Sequence, residues 1–178
     1  MSSTETKTPV IDYTLYNGFW SKLQQFRFDI TYYNIHFNAC VRLARIIKYI
    51  IVGLTSLATG AWMSWNNIPA VSISCAIIIL ILQGVSAVSE WFPYEKRKNE
   101  LRELTTELEP LYLEMESDWR KINCYEVDNA YVLKALDRYA QKQADITRHY
   151  LKDDALPERE RYHLKADNLT EEYFKYFV

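Results

Sequence analysis

The sequence predicts an all-α membrane protein: a two-span transmembrane helical hairpin whose long juxtamembrane helices form a cytosolic helical bundle. Three observations carry that expectation. From Tyr49 to Ser89 the chain has no Asp, Glu, Lys or Arg. Basic residues stand on both sides of that stretch and none inside it. Two further segments, one before it and one after it, repeat apolar residues at alternating four- and three-residue spacing, the heptad pattern of paired helices.

The averages conceal this unevenness. With 178 residues, 21 Lys+Arg against 23 Asp+Glu and a net charge of -2, the whole chain resembles an ordinary single domain. Four Gly and five Pro exclude collagen-like and linker-rich classes. The near-neutral balance supplies no basic field, so no direct nucleic-acid partner is expected. Cys40, Cys75 and Cys124 are odd in number and outside any CxxC spacing, which argues against a disulfide framework or a zinc site.

Residues 1–14 read as a disordered N-terminus with no apolar core of a cleavable signal. A cytosolic amphipathic helix is expected over 15–45, where Phe19, Leu23, Phe26, Ile30, Tyr33 and Phe37 form the seam. Residues 46–89 make the hairpin. Its spans run from about Ile46 to Trp65 and from about Ala70 to Ser89, joined by Asn66, Asn67, Ile68 and Pro69. About 20 residues each suffices for a bilayer core of about 30 Å. Arg42, Arg45 and Lys48 precede the first span and Lys96, Arg97, Lys98 and Arg102 follow the second. The positive-inside rule then makes this a multi-pass chain with both termini and all the hydrophilic mass in the cytoplasm.

Small and polar residues within the spans are the candidate pore-lining or span-packing positions. Gly53, Ser56, Gly60 and Ser64 recur at helical spacing in the first, where they let a second helix approach closely. Gln83 and Ser86 stand in the second; a glutamine there needs an inter-helix hydrogen bond or a wet lumen.

Residues 90–178 form the second cytosolic helical region. Leu101, Leu104, Leu108, Leu111 and Met115 continue the heptad logic, so Phe19, Leu23, Phe26, Ile30, Leu101, Leu104 and Leu108 are the candidate oligomerisation seam. Pro110 should kink or split that helix. Asp128 is the expected N-cap of a third helix with Val132, Leu136, Tyr139, Ile146 and Tyr150 on its apolar stripe. Pro157 opens a short charged helix and Thr170 caps a last one. The aromatic tail of Tyr173, Phe174, Tyr176 and Phe177 should dock on this bundle or on a neighbouring subunit. The acidic run from Glu107 to Glu116 fits a solvated helix face.

No catalytic constellation is visible. His36, His149 and His163 are scattered, and no phosphate loop, nucleophile elbow or HExxH occurs. No enzyme activity, cofactor or metal is expected.

RLARIIK before the first span, GLTSLATG within it, KRKNELREL after the second, ESDWRKI around Trp119 and VLKALDRY beyond resemble the SLATT family. The similarity covers about Leu15 to Tyr150. Those are prokaryotic two-span membrane proteins associated with nucleotide-second-messenger and related phage-defence systems. The resemblance implies an oligomeric inner-membrane effector of antiviral defence that forms a pore or disrupts the membrane when triggered. Its implied partners are membrane lipid, further copies of itself, and a cytosolic sensor protein or nucleotide second messenger. The alternative is a non-conducting membrane anchor or scaffold that recruits a cytosolic partner through its bundle.

Overall fold

The computed structural model describes residues 11–64, 73–74, 77–81, 83–84, 94–152 and 156–177. Helix α1 spans Tyr13–Ser64, α2 Tyr94–Asn123, α3 Asn129–Leu151 and α4 Glu160–Phe174. Residues 73–74, 77–81 and 83–84 are also helical, and no strand occurs among the described residues. The chain divides into two units. One comprises the chain up to His36 together with Glu100 onward, and the other is Phe37–Asn99.

The membrane expectation is corrected by the helices themselves. Among the described residues, no helix is long and apolar enough to cross a membrane. This finding overturns the transmembrane hairpin, the ion-channel reading and the multi-pass inner-membrane location with cytoplasmic termini. Over the described side chains of α1, which end at Ser56, a stretch of bilayer length takes in Arg42, Arg45 and Lys48, and those three charges cost more in a bilayer than the intervening Ile, Val and Leu return. Much of the second candidate span, with the turn at Asn66–Pro69, lies outside the described residues, as do residues 1–10.

The discontinuous unit is a helical bundle with a closed core. Phe19, Leu23, Phe26 and Ile30 of α1 meet Leu101, Leu104, Leu108, Met115 and Ile122 of α2, all buried. Val132, Ala135 and Tyr139 of α3 and Ala166 and Phe174 of α4 complete it. Each large apolar side chain so buried contributes about 1.5–3 kcal/mol, which is why helices of mixed composition hold together here.

Local signals set the helix ends. Asp12 begins α1, its Oδ1 accepting from the Thr14 amide at 2.8 Å, while its own amide donates to Asn129 Oδ1 at 2.9 Å. Asp128 caps α3 by accepting from the Tyr131 amide at 2.9 Å. At the end of α2 the Glu126 amide donates to the Lys121 carbonyl and the Tyr125 amide to that of Ile122. Tyr125 takes φ 56°, the left-handed residue of a Schellman stop.

Three local expectations change. α2 runs unbroken through Pro110, because burial of Leu108, Leu111 and Tyr112 on either side outweighs the lost amide donor. The two short C-terminal helices are one, with Thr170 buried inside it rather than capping. The buried face of α3 is Val132, Ala135, Tyr139 and Gln143; Leu136, Ile146 and Tyr150 flank it, half-buried.

Candidate functional site

The seven seam residues gather in one place. Phe19, Leu23, Phe26, Ile30, Leu101, Leu104 and Leu108 are all buried in the core of the discontinuous unit. Their covering comes from this chain's own helices, so no second copy is needed to bury them. Phe19 lies between Trp119, stacked at 6.1 Å, and the edge of Tyr139 at 6.3 Å. Trp20 joins Trp119 at 4.9 Å to Phe174 at 5.0 Å. The aromatic tail docks through Phe174 and Phe177, which lie 5.3 Å apart, whereas Tyr176 stays exposed.

The span residues fall in the Phe37–Asn99 unit and are not gathered. A Cβ built at Gly53 meets nothing within 4 Å. The Ser56 hydroxyl donates to the Val52 carbonyl of its own helix at 2.9 Å. Gly60 and Ser64 are helical residues of α1. Gln83 is helical and exposed, and Ser86 lies outside the described residues.

Around them the unit presents large apolar side chains outward. Leu43, Ile46 and Ile50 share one face of α1 at three- and four-residue spacing, with Gly53 next on that face. Ile77, Leu80 and Ile81 stand at i, i+3 and i+4 in the second helical stretch. Ile46 is 47% exposed, Val52 55% and Leu80 66%. Contiguous apolar faces of this kind mark interaction surfaces, and the open glycine permits close helix approach.

Sequence reasoning missed the buried polar centre of the bundle. Asp118 is 3% exposed. Its Oδ1 accepts from Lys121 Nζ and the Tyr131 hydroxyl, both at 2.8 Å. Its Oδ2 accepts from the Tyr139 hydroxyl at 2.8 Å and Arg138 Nη2 at 3.0 Å. Burial pushes this carboxyl up, and the Lys121, Tyr139 and Tyr131 donors outweigh burial, so it sits below its ordinary value. A signal was present: the spacing of Leu104, Leu108, Leu111, Met115 and Ile122 places Asp118 on the seam itself.

Glu116 departs from the predicted solvated acidic face. It is buried, paired with Arg120 and accepting from the Tyr173 hydroxyl at 3.0 Å. Arg27 lies 4.0 Å from the Tyr173 ring centroid, a cation–π contact that ties α4 to α1. These groups clamp helices together; none faces an apolar cavity with a second reactive group.

The scattered histidines partly converge. His36 and His163 stand 4.6 and 4.7 Å from the ring of Tyr32, as aromatic packing between α1 and α4. Cys40 and Cys124 form no disulfide. Among the described residues no group of three or more His, Cys, Asp or Glu side chains could hold a metal ion. No known protein family, curated protein or solved structure matches this chain.

Proposed function

We propose that the protein is an assembly scaffold: the Phe37–Asn99 unit associates with further copies of itself, and the closed bundle recruits a partner protein. The observation that supports this is the outward apolar face of Leu43, Ile46 and Ile50 beside the open Gly53, matched by exposed Ile77, Leu80 and Ile81. The bundle needs no such help, since its own seams are covered within one chain. The antiviral setting implied by the SLATT resemblance belongs to the proposal as the circumstance in which a partner or signal sets the assembly state.

The test is the solution mass of the full chain by light scattering, beside the double variant Ile46→Asp and Ile50→Asp. The wild type should exceed its 21.1 kDa monomer, and the variant should fall toward it with unchanged helical circular dichroism. A monomeric wild type overturns the proposal. So does capture of the chain by lipid vesicles without self-association, which would make lipid the occupant of the apolar face.

A further inference from the structure

Four helix ends meet at one end of the bundle unit. The Tyr16 hydroxyl, near the start of α1, donates to Asn123 Oδ1 at the end of α2, 3.0 Å away. The Asp12 amide donates to Asn129 Oδ1 at the start of α3, 2.9 Å away. The end of α4 joins them, because Phe174 packs edge-on to Trp20 at 5.0 Å.

Among the described residues, every exposed tyrosine of this unit belongs to that end. Tyr13 is 77% exposed, Tyr125 56% and Tyr176 86%. None of the three side chains has a hydrogen-bond or ring partner among the described residues. The other tyrosines of the unit are all engaged, as Tyr131, Tyr139 and Tyr150 are with carboxylates. Packing of this chain therefore makes no use of these three rings. Tyrosine is the residue type that partner interfaces use as an anchor.

Charge selects the partner. Asp12, Glu126, Asp128, Glu171 and Glu172 are exposed acids in the flanking residues and terminal turns of these helices. Against them stand Arg120, Lys121 and Lys175, and the first two are already bound to the buried Glu116 and Asp118. Residues 1–10, outside the described ones, carry Glu5 and Lys7, one charge of each sign. The excess is negative, which repels anionic headgroups and nucleic acid and attracts cations. Of the cationic side chains, the arginine guanidinium both stacks on a tyrosine face and pairs with carboxylates.

We infer that this end of the bundle docks an arginine-rich segment of a partner protein. Tyr13, Tyr125 and Tyr176 receive guanidinium groups on their faces, and Asp12, Glu126 and Asp128 pair with the charges beside them. The inference rests on the partner-recruiting half of the proposed function and gives that partner its chemistry.

Isothermal titration of the full chain at physiological ionic strength tests it, with a peptide of alternating Arg and Gly as the probe. The Lys-Gly and Glu-Gly counterparts are the controls. The arginine peptide should bind with Kd below about 100 μM. The lysine peptide should bind about threefold more weakly or worse, and the glutamate peptide should not bind. Tyr13→Ser and Tyr125→Gly should each weaken the arginine peptide by about fivefold or more. Tyr125→Gly should also raise the thermal midpoint, a combination that misfolding cannot produce. Glu160→Gln, at the opposite end of α4, should leave binding unchanged. Arginine-peptide binding that survives both tyrosine variants, or that Glu160→Gln weakens as much, overturns the inference while recruitment by another surface stands. Binding of the glutamate peptide instead has the same meaning. Failure of all three peptides to bind overturns the inference and leaves self-assembly to the separate measurement of mass.

Discussion

The two units of this chain write similar apolar spacing with opposite results. In the bundle, Phe19, Leu23, Leu104 and Leu108 are fully buried, with relative exposure of 0%. In Phe37–Asn99, Leu43, Ile46, Ile50 and Leu80 remain exposed. The difference is the number of elements that converge. Four helices contribute to one core in the bundle, so each stripe finds a facing stripe. Periodicity identifies a face that must be covered and is silent on what covers it.

The sharpest way to break the comparison is truncation in both units. Leu104→Ala should cost about 2–5 kcal/mol in urea unfolding, since it opens a cavity in a packed core. Val52→Ala, on an exposed helix face, should stay within about 0.5 kcal/mol. Equal costs would show that the second unit is covered in solution as tightly as the first.

Next in size is the polar centre. Asp118→Asn should cost about 3 kcal/mol at neutral pH, because it strips the charge from four donors in a buried site. Asp118 titrates lower in the folded chain than its unfolded value of about 3.9. Its contribution is therefore complete above that value and is lost as pH falls through the folded pKa. Acid unfolding monitored by circular dichroism should show a shallower pH dependence in Asp118→Asn than in the wild type.

A smaller, opposite effect is expected at Tyr125. With φ 56°, Tyr125→Gly should stabilise the Schellman stop by about 1 kcal/mol, read as a higher thermal midpoint.

The smallest effect tests a reversal of sign within the bundle. Burial raises the Asp29 carboxyl despite the Gln25 and Gln143 donors and nearby Lys22. Its ionisation therefore opposes folding, and the penalty grows as pH rises from the unfolded value through the higher folded one. Asp29→Asn should flatten the stability decline over that window, whereas Asp118→Asn flattens a rise. Identical pH profiles for the two variants would refute this contrast.

Much of the bundle was legible because its signals are local. The seam spacing located the buried faces of α2 and of α1 as far as Ile30, beyond which Tyr32 and His36 are buried in place of the expected Tyr33 and Phe37, and Asp128 marked the start of α3 by its own side chain. Glu116 and Asp118 were misjudged because charge ordinarily means solvent, and their partners Tyr131, Tyr139 and Tyr173 come from other helices. Pro110 was overweighted as a breaker because flanking burial is a tertiary effect. The charge-free stretch reads as a bilayer span taken by itself, whereas the described helix that enters it carries Arg42, Arg45 and Lys48 within one bilayer length.

The discontinuity of the bundle also sets the order in which it can form. The amide of Asp12 bonds Asn129, and Gln143 bonds Asp29, so the earliest helix needs partners made more than a hundred residues later. At a synthesis rate of roughly 5–20 residues per second, the Phe19–Ile30 seam leaves the ribosome several seconds before α2 and α3 arrive to cover it. During that interval the nascent chain carries an uncovered apolar seam followed by a second apolar segment, so the stretch most exposed to non-native association is the one that waits longest for its native cover.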